Sequence, residues 1–170
     1  MKRTRVRPAV AEDGAAVVRL VRALAAFENA PPETVELDAA AFRAQGFPPP
    51  GGPPAAFECL IAELDGRAVG FALYFANFST WTGRPGLYVE DLFVEEAARG
   101  HGLGRALMAA IAARARDRGG RRVDLWVLHW NPARDFYHGL GFGHMSDWLP
   151  YRLTGPALKA LADGGGSEGP

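Results

Sequence analysis

The segment that most limits what this chain can fold into is Arg99-Gly100-His101-Gly102-Leu103-Gly104-Arg105. An apolar run, Leu87 to Val94, precedes it, and Leu103, Leu107, Ile111 and Ala115 follow on one helical stripe. A strand, a glycine turn and a helix from Leu103 to Arg118 are therefore expected, with Gly119-Gly120 closing the helix. Residues without side chains let the backbone turn sharply and approach a ligand. The helix start adds N–H groups and the positive end of its dipole, an arrangement suited to phosphate or pyrophosphate. A plain strand-to-helix turn is one reading. A dinucleotide fingerprint is another, although Arg105 and Leu107 stand where its third small residue belongs, and Asp124 is available for a ribose contact. A Walker A loop is excluded, because no Gly-Lys-Ser/Thr follows.

The rest of the chain divides readily. A short first strand is expected over 6–9, closed by Pro8, and an amphipathic helix over 13–26 with Asp13 as its cap. Pro31-Pro32 stops that helix. A second helix runs from Asp38, its cap, to Gln45, and the Pro/Gly run 48–54 is a loop. Strands at 57–64 and 68–77 flank Asp65-Gly66, a strong hairpin signal. After the glycine loop and its helix come a strand over 122–128, a short helix capped by Asn131 to about Leu140, and a last strand region through Leu153. The order β-α-α-β-β-β-α-β-α-β gives a mixed α/β sheet with a parallel β-α-β unit around 87–128. At 170 residues one domain is expected, spanning 1–155, with 156–170 a tail whose end, 164–170, is disordered.

Several classes fall away on composition. Lys+Arg and Asp+Glu both number 19, so no global field draws the chain to nucleic acid or to an anionic membrane. No apolar run approaches the ~20 residues of a membrane span. The basic start, Met1 to Arg5, leads into no apolar signal core, and a cytoplasmic location is expected. Cys59, the single cysteine, excludes an intramolecular disulfide and reads as a small buried hydrophobe. His101, His129, His138 and His144 lack the spacing of a metal site, so no metal is expected. The arginines at 114, 116, 118, 121 and 122 read as a solvated face near a helix C-terminus.

The glycine loop resembles the R/Q-x-x-G-x-G/A motif of the GNAT acetyltransferases. The strand before it, Leu87-Tyr88-Val89-Glu90-Asp91-Leu92-Phe93-Val94, is similar in position and apolarity to that family's preceding strand. Asn131-Pro132-Ala133-Arg134-Asp135-Phe136-Tyr137-His138-Gly139-Leu140-Gly141-Phe142 resembles the family's later N-x-x-A-x-x-F-Y motif, with Ala133 one position early. The acidic pair after a loop bearing Trp81, together with Trp130-Asn131, Arg7-Pro8-Ala9 and Phe27-Glu28, resembles the diamine (spermidine/spermine) and thialysine branch. The resemblance implies a GNAT-type fold: a mixed, mostly antiparallel central sheet with helices on both faces. It implies acetyl-CoA as co-substrate, a small-molecule amine as acceptor, and a homodimer.

It also implies roles. Amides of Arg99, Gly100, His101, Gly102, Leu103, Gly104 and Arg105 would bind the pyrophosphate of acetyl-CoA. The backbones of Leu92, Phe93 and Val94 would meet the pantetheine arm and thioester, and Asn131, Ala133 and Tyr137 would add cofactor contacts. Phe27, Glu28, Trp81, Glu90 and Asp91 would line the amine pocket. The chemistry wants such groups. An alkyl ammonium with pKa of about 10 must lose a proton before it can attack, and the departing thiolate benefits from a donor. Glu90 matches the acid that binds the ammonium and accepts its proton through water, and Tyr137 matches the general acid. Structural readings stay open beside these: ion pairs within the sheet for Glu90 and Asp91, a core aromatic for Tyr137, a packing anchor for Trp81. Other amine acceptors (another amino acid, an aminoglycoside, a protein amine) and a non-catalytic acyl-CoA sensor are the alternatives.

Overall fold

The computed structural model describes residues 2–164. Two compact units divide the chain between Arg134 and Asp135. In chain order the first holds β1 (Thr4–Pro8), α1 (Gly14–Phe27), α2 (Ala39–Gly46), β2 (Glu58–Leu64), β3 (Arg67–Ser79), β4 (Arg84–Val94), α3 (Leu103–Asp117) and β5 (Val123–Leu125). Helix α4 (Ala133–Gly139) starts in the first unit and ends in the second, which also contains α5 (Gly155–Ala162). The strands make one sheet in the order β1-β2-β3-β4-β5. Every pairing is antiparallel except the last, where β5 runs parallel to β4. This is the expected mixed α/β architecture.

The β2–β3 turn forms as the sequence dictates: Asp65 and Gly66 take φ of 52° and 82°, the left-handed pair that a two-residue hairpin requires. Helix α1 buries Val17 and Leu20 completely against Ile61, Phe71 and Phe93 on one face of the sheet. Removing a Leu or Val side chain of this kind from water is worth about 1.5–3 kcal/mol. Phe42 of α2 joins the same cluster, and Asp38 caps α2 by accepting the Ala41 N–H at 2.7 Å. Helix α3 covers the opposite face, which carries Tyr74. It buries Leu103, Leu107, Met108, Ile111 and Ala115. Arg118 at its end donates to both Glu58 oxygens at 2.6 and 2.7 Å, and the Tyr74 hydroxyl donates to Glu58 at 3.2 Å.

Three expectations need correction. Asp13 does not cap α1. Its carboxylate is drawn back to β1, where Arg7 donates to both oxygens at 2.7 and 2.8 Å and the Val10 N–H donates at 2.8 Å. A bidentate guanidinium outcompetes one amide. The strand expected over 122–128 is only Val123–Leu125. It is the last strand of the sheet, and its continuation Trp126 is 57% exposed. An edge without a further partner has no ladder to extend it. The strand region through Leu153 is absent among the described residues, and residues 156–162, placed in the tail, belong to α5. Of the disorder expected at 164–170, all but Gly164 lies outside the described residues.

Candidate active site

The glycine loop sits where expected, between β4 and α3. Gly100 and Gly102 have φ of 80° and 75°. Apart from the glycine and its two chain neighbours, no atom of the described residues lies within 4 Å of where a Cβ would stand at either one, so it is the left-handed backbone that calls for glycine. Gly102 is the residue just before α3. The first helical bond runs from the Ala106 N–H to the Gly102 carbonyl at 2.9 Å, so the amides of Leu103, Gly104 and Arg105 precede it at the positive end of the helix. The side chains of the loop fold back on its own backbone. Arg99 Nε donates to the Val94 carbonyl at 3.1 Å, and His101 Nδ1 lies 3.0 Å from the Arg99 carbonyl.

Strand β4 is broken by a bulge at the acidic pair. Leu73 of β3 pairs with Asp91, while the next residue, Tyr74, pairs with Val89. Glu90 is the extra residue. Bulges of this kind re-aim side chains and end a ladder. Here Val89 shares the α3 face with Tyr74, whereas Asp91 shares the α1 face with Leu73 and Phe93. Past the bulge the ladder to β5 stops too, since β5 pairs only with Leu87, Tyr88 and Val89. Leu92, Phe93 and Val94 pair with β3 on one side alone among the described ladders.

Phe27 ties these pieces together. Its ring lies 6.5 Å from that of Phe93 and 6.5 Å from that of Trp130, and the Arg99 guanidinium stands 5.0 Å from its centre. The end of α1, the segment of β4 beyond the bulge and the glycine loop thus converge. Glu28, next to Phe27, is held above the usual carboxylate range by burial. Asp91 is half-buried, and its carboxyl is pushed up to about 6, first by burial and then by the charges of Glu90 and Glu28. Three carboxyls therefore share one field, with Glu90 the exposed member. That field favours a cation. Sequence reasoning did not single out Trp130 as a contact of Phe27; the signal available was an aromatic residue directly before a helix-capping Asn.

Trp81 stands apart from the bulge along β4. Trp81 is 88% exposed at the tip of the β3–β4 hairpin. Roughly 20 Å of strand, at ~3.3 Å per residue, separates the start of β4 at Arg84 from Glu90. Asn131 is buried, and its Oδ1 accepts the Ala133 N–H at 2.8 Å, which fixes the start of α4. Tyr137 belongs to the second unit. There its ring lies 5.3 Å from Phe136 and 5.7 Å from Phe142, and its carbonyl accepts the Phe142 N–H at 3.0 Å. Cys59 is buried, and burial pushes its thiol up to about 12, so it stays protonated. Among the described residues no group of three or more His, Cys, Asp or Glu is arranged to hold a metal ion. None of the described helices is long and apolar enough to cross a membrane.

Residues 20–142 match the model of the acetyltransferase (GNAT) family. The chain is 35% identical over 174 residues to a thialysine N-epsilon-acetyltransferase of Mus musculus, covering 95% of this chain and 99% of that protein. It is 39% identical over 93 residues to an L-ornithine N5-acetyltransferase of Arabidopsis thaliana, covering 54% of this chain and 41% of that one. An integron cassette protein from the mobile metagenome of V. cholerae superposes with a TM-score of 0.74 at 23% identity, over 94% of this chain and 97% of that one, a likeness of fold.

Proposed function

The chain belongs to the acetyltransferase (GNAT) family, and from that premise we propose that it passes the acetyl group of acetyl-CoA directly to a primary amine of a small molecule. The acceptor on this reading is a diamine, a polyamine or a thialysine-like amino acid. The observation that carries it is the near full-length similarity to the mouse thialysine N-epsilon-acetyltransferase. The cluster of Glu28, Glu90 and Asp91 beside the glycine loop supports it, because such a field draws an ammonium and repels an anion.

Each part has its role. Amides of Arg99 through Arg105 hold the pyrophosphate at the start of α3. Backbone groups of Leu92, Phe93 and Val94, laddered to β3 alone among the described residues, receive the pantetheine arm, with Asn131 and Ala133 contributing further along. Phe27 and Glu28 line the amine pocket. The carboxylates at the bulge, Glu90 first among them, hold the ammonium and take up its proton. The free amine attacks the thioester carbonyl, the C–N bond forms, the C–S bond breaks, and Tyr137 protonates the thiolate. Residues 1–155 make up the catalytic domain on this reading. The enzyme is a cytoplasmic homodimer with two-fold symmetry, the commonest oligomer type, and needs no metal.

The test is an assay of CoA release against a panel of amines: thialysine, ornithine, 1,3-diaminopropane, spermidine and an aminoglycoside. Turnover of thialysine or a diamine is expected. Turnover of the aminoglycoside alone, or of none, rejects the acceptor class. Light scattering at micromolar concentration tests the dimer independently of the chemistry.

A further inference from the structure

The turn that carries the chain from β4 into the glycine loop is anchored by other elements. Glu95 follows the last residue of β4, and its N–H donates to the Val69 carbonyl of β3 at 2.8 Å. Its carbonyl accepts the Ala98 N–H at 2.9 Å and so opens one 3-10 turn, Glu96–Ala98, in which Ala98 is buried. Its carboxylate meets two guanidiniums, one at each oxygen: Arg19 of α1 at Oε1, and Arg67, the first residue of β3, at Oε2. Arg19 also donates through its other terminal nitrogen to the Ala68 carbonyl at 2.7 Å. The Glu95 side chain is 18% exposed, against 46% for Arg19 and 63% for Arg67, so the carboxylate is the sheltered centre of this triad. At the far end of the turn stands Arg99, whose guanidinium faces the Phe27 ring of the same helix at 5.0 Å. Arg19 and Phe27 lie about 12 Å apart along α1, at ~1.5 Å per residue. Segment 95–99 is thus fastened to one helix at both ends, directly before Gly100 and Gly102.

We propose that Glu95 is a positioning residue for acetyl-CoA: by joining Arg19 and Arg67 it fixes the glycine loop in the conformation whose amides receive the pyrophosphate. This rests on the acetyl-CoA site of the reading above, and not on which amine is the acceptor. Amides that bind one anion must converge on it together. Glycines that allow the left-handed backbone also allow many others, and a loop left loose has to be ordered by its ligand, which weakens binding. A carboxylate between two guanidiniums supplies that order in advance. Gln in its place offers one acceptor oxygen, and turns an NH2 group toward the second cation. Partial burial keeps the Glu95 contacts from being screened as fully exposed pairs are.

The test titrates the full chain with acetyl-CoA by calorimetry. It also measures CoA release against acetyl-CoA, using whichever amine of the panel above turns over best. Glu95→Gln is expected to raise Kd and KM for acetyl-CoA by about 5-fold or more. It should leave kcat at saturating acetyl-CoA, and KM for the amine, within about 2-fold, the pattern of lost binding that ground and transition states share. Arg19→Gln should act likewise, and adding it to Glu95→Gln should weaken binding little further, since both remove one contact. Glu58→Gln is the control. It breaks the Arg118 pair at the other end of α3 and should leave Kd unchanged. A wild-type Kd in Glu95→Gln overturns the proposal, as does an equal rise in Glu58→Gln, which would mark a general loss of stability. A fall in kcat at unchanged Kd overturns it too. Should Glu95→Gln fail to fold, Arg67→Gln, at the exposed rim, decides by the same Kd. Failure of the wild type to bind acetyl-CoA sinks the cofactor reading, and the proposal with it; wild-type binding that these variants do not weaken sinks the proposal alone.

Discussion

At the residue scale, a buried carboxyl with a raised pKa works against the fold that holds it. The native Asp91 binds its proton up to about pH 6, whereas the ordinary value is 3.8. Between those limits the folded state holds more protons than the unfolded, so stability falls as pH rises through the window and stays lower above it. Asp91→Asn is therefore expected to raise Tm at pH 7.5 and to change it little at pH 4, by differential scanning calorimetry. At about 1.4 kcal/mol per pH unit, the gain is at most about 3 kcal/mol, less what solvent screens at a half-buried site. Tyr137→Phe is the complementary change. It keeps the ring against Phe136 and Phe142 and removes the proposed proton donor. It should lower kcat by about 10²–10⁴-fold with little effect on acetyl-CoA affinity. A near-normal kcat with chemistry rate-limiting would assign the acid elsewhere.

At the scale of elements, the glycine loop carries the sharpest prediction. A β-branched residue at Gly102 must enter the left-handed region at φ 75°, which such residues strongly avoid. Gly102→Val is expected to disrupt the entry to α3 and to abolish the rise in Tm that acetyl-CoA gives by binding the folded state. Gly102→Ala should keep part of it. This loop was legible because glycine spacing, strand and helix all agree in the sequence. The bulge was not. Leu87, Val89, Asp91 and Phe93 alternate as if on one face, and nothing in that pattern says that the face changes at Glu90. Only the partner register with β3 reveals it. The shortness of β5 was hidden for the same reason: an apolar run such as Trp126-Val127-Leu128 records its preference for a strand, not whether a neighbour exists to pair with it. The Asp13 cap failed because Arg7, near in space, binds the same carboxylate better.

At the scale of the molecule, two ion pairs fix how the fold responds to acid. Arg7 holds the Asp13 carboxyl below its ordinary value of 3.8, and Arg118 holds Glu58 below 4.5. Their stabilisation is complete above those values and is lost as pH falls through the lower folded ones. Tm should accordingly drop below about pH 4, and Asp13→Asn should flatten that drop, in thermal melts across pH. The strand order has a different consequence. Because the sheet runs β1-β2-β3-β4-β5, no strand has to be threaded between two that are already joined. The two hairpins β2–β3 and β3–β4 close short loops, while pairing Thr4 with Leu64 encloses a far longer stretch and incurs more closure entropy. The central meander is thus the natural nucleus, and the N-terminal strand, though synthesised first, should be a late arrival. Pulse-labelled hydrogen exchange during refolding would then protect amides of Leu60, Phe71 and Phe93 before those of Arg5 and Arg7.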